Sequence, residues 1–453
     1  MASRATASPL DTLPTLRVGR WLFKALDVYN ADRLTWMEKA CGLGPLVRLL
    51  VGPVMLLVIS DPDVARTILI GDAQRWRRTP ATTIASRLAA GENLFTQGQR
   101  SWAKLQPALA PTFRKRSLEP RLAELDGLVA EEIAALSFDV PVDLDQAMGR
   151  IAMVVASRAL FGQRLSRDRA DELVSSQRVI VDWVGKRVGS LRSVVPWTIG
   201  TTATVMRRHR RVLNAYADEI VAMRRQEAQP KTDVLQGLLE ARPGGRPLTE
   251  RQLRSQVLGL FAAGNETTAA TLIWAMAFGS AYPHEWAALR SDPAAVEPYI
   301  DETLRLRPQA WGIGRSSRQL SAHVQVGSGR YRIRPDHALI INIWGMNRDP
   351  NIWPNPEGFD PGRQRNLTRA QERVSLPFGL GPRGCIGQHL AIAEMLSVLP
   401  ALARHGDIHI DGDPVPDPVF TLRARGGVVG RFSSPNRSVE SQDSTGTRPT
   451  VRL

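Results

Sequence analysis

The stretch Phe378-Gly379-Leu380-Gly381-Pro382-Arg383-Gly384-Cys385-Ile386-Gly387 decides the reading of this chain. Its four glycines let a backbone wrap closely round a ligand or pass through conformations closed to other residues. An apolar helix is expected to begin around His389, which puts Cys385 just ahead of a helix N-terminus, where N–H groups and the helix dipole stabilise a thiolate. From these residues alone the segment is either a ligand-shaped loop or a structural turn with a buried thiol. Cys41 is the only other cysteine, so the chain by itself cannot assemble a disulfide framework, a zinc knuckle or a cysteine-ligated iron–sulfur cluster. The default setting is therefore reducing, and a cytoplasmic protein is expected.

Upstream of that loop the longest signal is an apolar run from Thr249 to Tyr282. Thr249 and Gln252 have capping-box spacing and Pro283 stops the run, so one helix of roughly 33 residues and about 50 Å is expected to cross the molecule. Its stretch 257–282 is long enough for a bilayer, but Gly264, Asn265 and Glu266 interrupt it and it has no clear basic flank. A core helix with a polar site at its middle fits better. The apolar stretch 45–59 is broken by Arg48, Gly52 and Pro53, so no membrane span is expected. Short strands at 47–50 and 54–59 lead, after the start signal Asp61-Pro62, towards a mainly helical region from about 116 to 240. Beyond the long helix come a shorter helix ending at Arg307-Pro308, a strand region at 331–343 and a Pro/Gly/Asn-rich meander from Asp349 to Gly362. Residues 1–15 read as a flexible N-terminus and 433–453, polar and without periodicity, as a disordered tail; 16–432 is then a single domain.

The 453 residues are 43% hydrophobic, ample for a large core, and carry a formal net charge of +15. Of the 59 basic residues only Lys24, Lys39, Lys104, Lys115, Lys186 and Lys231 are lysine; the rest are arginine. The densest run, Arg207, Arg208, Arg210 and Arg211, has no interleaved aromatics and reads as a solvated helix face, so no nucleic acid is expected. Such a field favours an acidic partner. His323 and His389 lack companions at ligand spacing and are not read as a metal site.

Three further motifs stand in order along the chain. Ala263-Gly264-Asn265-Glu266-Thr267-Thr268 lies within the long helix, either as a tolerated polar cluster or as a site. Glu302-Thr303-Leu304-Arg305 places a carboxylate and a guanidinium on one helix face, a weak signal alone, and Phe359-Asp360-Pro361-Gly362-Arg363 offers a second arginine. Gly98-Gln99-Arg100-Ser101-Trp102 opens another helical stretch.

Together with the cysteine loop, which matches F-G-x-G-x-R-x-C-x-G at every specified position, these motifs resemble the cytochrome P450 family over most of the chain. The resemblance implies a mainly α fold with small β-sheets, a long central helix lying over haem b (iron protoporphyrin IX), and Cys385 as thiolate ligand of the iron. Phe378 and Gly387 would help shape the haem pocket. Gly264 would let the macrocycle and its oxygen approach, with Glu266 and Thr267 as proton relay. Glu302, Arg305 and Arg363 would form a structural triad holding the cysteine loop.

Trp102 resembles the start of the family's W-x-x-x-R propionate contact, but Gln106 stands where the arginine is expected and supplies a hydrogen bond without charge. Propionate binding would then lean on Arg315 and Arg383, although Arg315 also reads as an ordinary surface arginine. Arg334-Pro335-Asp336-His337 departs from the family's Pro and Gly and should alter only a turn. The resemblance further implies O₂-dependent hydroxylation or other oxidation of an apolar or aromatic substrate, lined by Leu94, Phe95, Leu260, Ala263, Trp311, Gly312 and Ile313, in specialised metabolism. Electrons would come from an acidic ferredoxin and its ferredoxin reductase. Oxidative aryl or peptide cross-linking at the same site, or a non-catalytic haem-binding protein of the same fold, are the other readings.

Overall fold

The computed structural model describes residues 7–188, 200–229, 231–320 and 322–435. The expected long helix is Glu250–Ala281, and Thr249 caps it as anticipated: its side chain accepts from Gln252 N–H while Gln252 reaches back to the Thr249 backbone. Twenty of its residues are buried, Leu272, Trp274, Ala275 and Met276 completely. A helix apolar on nearly all sides must be enclosed by protein. It packs against the equally buried helix Leu144–Phe161, against Gly200–Gln226, and against Gln388–His405, the helix that follows Cys385. One continuous hydrophobic core joins these helices.

Beside them lies a six-stranded mixed sheet in the order Thr15–Arg17, Leu46–Val51, Val54–Ile59, Ala338–Ile341, Ile313–Ser317, Trp76–Arg77. Leu46–Val51 pairs antiparallel with Val54–Ile59 across the Gly52-Pro53 turn, and Ala338–Ile341 runs parallel to the latter. A three-stranded sheet (Val142–Asp143, Val429–Ser433, Asp407–Ile410) and two hairpins, Ala322–Val326 with Gly329–Ile333 and Pro416–Pro418 with Leu422–Ala424, complete the β structure. The fold is mainly α with small sheets, as the residues and the resemblance led one to expect.

Folded structure starts earlier than the composition suggests. Ser8 N–H donates to Arg330 O at 2.7 Å, Leu13 is buried, and Thr15 pairs with Arg48, so the stretch 8–15 is tied to two sheets by backbone hydrogen bonds that composition cannot reveal. At the other end Ser433 closes the last strand; the tail from 436 onward lies outside the described residues. The expected strand region 331–343 resolves into Gly329–Ile333 and Ala338–Ile341, separated by the turn at Arg334-Pro335-Asp336-His337, where Arg334 N–H donates to His337 Nδ1. Arg207, Arg208, Arg210 and Arg211 lie exposed on the helix Gly200–Gln226. No described helix is long and apolar enough to cross a membrane.

Candidate active site

The cysteine loop is built from tight hydrogen-bonded turns: Gly379 N–H donates to Leu376 O, Gly384 N–H to Gly381 O, and Cys385 N–H to Phe378 O at 2.8 Å. Gly381 adopts φ +71°, and a Cβ there would stand 2.0 Å from Leu69 O, so only glycine fits between the loop and its neighbour. The result holds Cys385 at the wall of a cavity of about 360 Å³ whose other lining includes Arg78, Leu94, Phe95, Trp102, Gln106, Phe378 and Arg383. The thiol is exposed to this cavity. Surrounding protein pushes its pKa up, while a hydrogen bond from Gly387 N–H pulls it down. A metal ion bound there would complete the deprotonation. Cys41 is remote from the cavity, and its thiol is pushed up to about 11, chiefly by burial.

Three guanidinium groups gather at this site. Arg315, 9% exposed, donates to the adjacent Gly314 O; Arg78 donates to Phe95 O; Arg383 donates to Leu94 O and Gln97 O and lies 4.3 Å over the Trp102 ring. None forms an ion pair with a carboxylate among the described residues. Burial pushes Arg315 and Arg78 down to about 10; Arg383, lowered by burial and then by the neighbouring Arg78 and Arg315, falls to about 9. A cluster of enclosed cations held only by neutral acceptors is matched to an anionic ligand. An iron porphyrin would offer a metal to the soft thiolate donor and two carboxylates to the cations, so the residues present fit haem.

The long helix is tied to this region at two levels. Gln256 Oε1 accepts from Leu94 N–H at 2.8 Å, and Thr268 hydrogen-bonds the buried carboxyl of Glu394 on the helix after Cys385. Leu260, Ala263 and Thr267, spaced along one helix face, lie between these ties, and Thr267 Oγ1 donates back to Ala263 O at 2.8 Å. Gly264 does not take the expected place: a Cβ there would contact Ala156 and Leu160 at 3.7 Å, so it faces the helix Leu144–Phe161. The helical period explains this, since position 264 is turned about 100° from 263. Asn265 secures the same contact by donating to Gly149 O and accepting from Gln177.

Glu266 and Thr267, adjacent in sequence, are engaged separately. The Glu266 carboxylate accepts from Thr421 Oγ1 at 3.2 Å and pairs with Arg423 Nε at 3.4 Å, and Arg423 in turn pairs with the half-exposed Asp182. Burial raises the Glu266 pKa, with Arg423 and the Thr421 hydroxyl opposing. The group sits in a small cavity of about 40 Å³ whose polar lining is Asp145, Gln177, Arg178, Asn265 and Arg423.

The triad assembles against the meander. Arg305 donates to both oxygens of Glu302, at 2.8 and 2.9 Å, and Arg363 Nε lies 3.0 Å from Glu302 Oε1. Asp360 N–H and Gln364 Nε2 donate to the same carboxylate. The spare guanidinium N–H groups bind carbonyls of Asn347, Pro354, Asn355, Pro356 and Gly358, fastening the meander.

Of the expected pocket residues, Leu94 and Phe95 line the cavity and Ile313 lies 3.7 Å from where a Gly379 Cβ would be. Gly312 sits against Ile340 of the sheet, Leu260 is in the main core, and Trp311 packs into a separate cluster with Trp344, Val47 and Leu422 rather than at the cavity wall. Gln106 does line the cavity, as its place four residues after Trp102 requires. His389 is exposed, and no described group of three or more His, Cys, Asp or Glu is placed to hold a metal. Sequence reasoning passed over Arg78 and Glu394. Nothing in Arg77-Arg78 distinguishes the second arginine; Glu394 left a signal, an acid on the buried stripe Leu390, Glu394, Met395, Val398.

A family model described as Cytochrome P450 matches residues 13–298 and 290–424. The protein described as putative cytochrome P450 135B1 of Mycobacterium tuberculosis is 26% identical over 378 residues, covering 78% of this chain and 76% of its own. Abscisic acid 8'-hydroxylase 2 of Oryza sativa subsp. indica is 27% identical over 374 residues, 76% and 71% of the two chains. Cytochrome P450 4A7 of Oryctolagus cuniculus is 24% identical over 427 residues, 84% and 81%.

Proposed function

Because this chain belongs to the cytochrome P450 family, a family of haem-dependent monooxygenases that draw electrons from redox partners, we propose that Cys385 holds the haem iron, that Arg315 and Arg383 take the propionates, and that the enzyme oxidises an apolar or aromatic small molecule in specialised metabolism. The observation that carries this reading is the Cys385 thiol opening into a cavity shared with Trp102, Leu94, Phe95 and unneutralised arginines. When bound, haem supplies reductive O₂ activation, which thiolate ligation favours. The chain's own residues do the rest. Leu94 and Phe95 present an apolar wall, which suits an apolar or aromatic substrate and keeps water from it.

Thr267 and Glu266 handle protons. The Thr267 hydroxyl is held at Ala263 O, on the same helix face as Leu260 and Ala263. Glu266, its pKa raised by burial, carries its proton nearer neutrality than an exposed carboxyl does, and the Arg423–Asp182 pair connects it towards solvent. The net charge of +15 favours an acidic ferredoxin, itself served by a ferredoxin reductase, as electron donor in the cytoplasm.

The test is spectroscopic first: reduced protein with carbon monoxide should show the red-shifted Soret band of thiolate ligation, and Cys385→Ala should abolish it. A variant that kept the band would end the assignment. Product analysis with a surrogate ferredoxin system, over apolar small molecules and aromatic peptides, then identifies the substrate class.

A further inference from the structure

The two residues of the apolar wall, Leu94 and Phe95, are both tied to the long helix through their backbone N–H groups, by two different routes. Gln256 is wholly buried in a stretch where Val257, Leu258, Leu260 and Phe261 are buried as well. An amide side chain in such a place is costly unless its polar atoms are paired. Its Oε1 accepts from Leu94 N–H at 2.8 Å and its Nε2 donates to Glu92 O at 3.5 Å, so both ends of the amide are turned to the loop.

One helical turn further on, Gly259 meets the buried Asn93: a Cβ at 259 would stand 2.6 Å from Asn93 Cγ, so the close approach requires glycine. Asn93 Oδ1 accepts from Phe95 N–H at 3.0 Å and Asn93 N–H donates to Thr96 Oγ1, which makes the side chain resting on Gly259 the one that orients Phe95. Gln256 and Gly259 are not among the described residues that line the cavity, whereas Leu94 and Phe95 are. Position 256 shares a helix face with 260, 263 and 267 and lies about 16 Å along the axis from Thr267. The Leu94, Thr96 and Gln97 carbonyls are held separately by Arg383 and Arg87, so the loop stays tethered if the helix contact is lost.

We propose that Gln256 and Gly259 are positioning residues that set the bulk of substrate the cavity admits, Gln256 by holding Leu94 through its N–H and Gly259 by seating Asn93, which holds Phe95. The inference rests on the haem reading above. Removing the Gln256 acceptor leaves a buried N–H without a partner, and that orphan is relieved only if Leu94 moves towards water or another acceptor. Adding a methyl group at 259 forces Asn93 outward and takes Phe95 with it.

The probes are imidazole and 4-phenylimidazole, which share an iron-ligating ring and differ by one apolar ring, titrated optically into parent and variants at the same pH. In Gln256→Met and in Gly259→Ala the thiolate carbon monoxide band should persist, while the affinity for 4-phenylimidazole relative to imidazole should change about tenfold, the effect of one buried hydrogen bond. Gln256→Glu should restore the parental ratio at about pH 6, because a buried carboxyl stays protonated there and offers one acceptor and one donor as the amide does. In the parent, the Leu94 and Phe95 amides should exchange with solvent at least about tenfold more slowly than unprotected loop amides. A parental ratio in the methionine or alanine variant, even with a lowered urea midpoint, overturns the proposal, as does a glutamate variant that behaves like methionine or fast exchange at both amides in the parent. Absence of the thiolate band from the parent protein would instead overturn the haem reading on which it rests.

Discussion

Replacing Glu302 by glutamine changes no shape and should still cost about 3–5 kcal/mol of stability. The carboxylate is fully buried, the Arg305 side chain is 1% exposed, and Arg363 is 11% exposed. Every contact at its two oxygens is a donor: Arg305 Nη2, Arg363 Nε and Asp360 N–H at Oε1, Arg305 Nε and Gln364 Nε2 at Oε2. Whichever way a glutamine amide is turned, its NH₂ faces donors, so at least two hydrogen bonds become repulsive contacts while two buried cations lose their counter-ion. A domain stable by roughly 5–15 kcal/mol would lose a large share of that margin. The loss should appear first in the meander, whose carbonyls the two arginines hold. The assay is urea denaturation of parent and Glu302→Gln at equal haem loading, followed by the thiolate carbon monoxide band. A midpoint shift worth less than about 1 kcal/mol, with haem retained, would refute the argument that this carboxylate anchors the meander.

Thr267→Ala and Glu266→Gln should keep the thiolate band yet yield less product per NAD(P)H and more peroxide, since a positioned acid–base group contributes about 10²–10⁴-fold; unchanged coupling in both would assign proton delivery to another group. Reduction by an acidic ferredoxin should be fast at low salt and slow as ionic strength rises, because screening shortens the reach of surface charge to about 10 Å at 0.1 M; a salt-independent rate would remove the charge argument. Burial holds the Glu394 carboxyl well above its ordinary 4.5, so the folded state binds this proton more tightly than the unfolded chain does. Its stabilising contribution is complete below that unfolded value and is lost as pH rises towards the folded one. Glutamine does not titrate, so the urea midpoint of Glu394→Gln should gain on the parent from about pH 5 to pH 8. A constant difference across that range would contradict the assignment.

Wherever the determinants are local, the sequence by itself was enough. The capping box at Thr249 and Gln252, the stop at Pro283, the strands at 54–59 and the turn glycines around Cys385 are written in residues a few positions apart, because hydrogen bonds and backbone conformations of that range depend on near neighbours. The motif spacing also foretold the pairing of Glu302 with Arg305, one helical turn apart, and the resemblance that of Glu302 with Arg363. What only the tertiary structure decided is the direction in which side chains point across elements. Glu266 turned towards Arg423, 157 positions away, and not towards its neighbour Thr267, because successive helix residues diverge by about 100°. Gly264 met the helix Leu144–Phe161 for the same reason, and Trp311 joined the Trp344 cluster rather than the cavity. The stretch 8–15 looked loose until its backbone found strands more than thirty and three hundred residues away. Arg78 is the sharpest case: one arginine among many in composition, it becomes distinct only where the fold brings it to Phe95 and the cavity, with no carboxylate paired to it among the described residues.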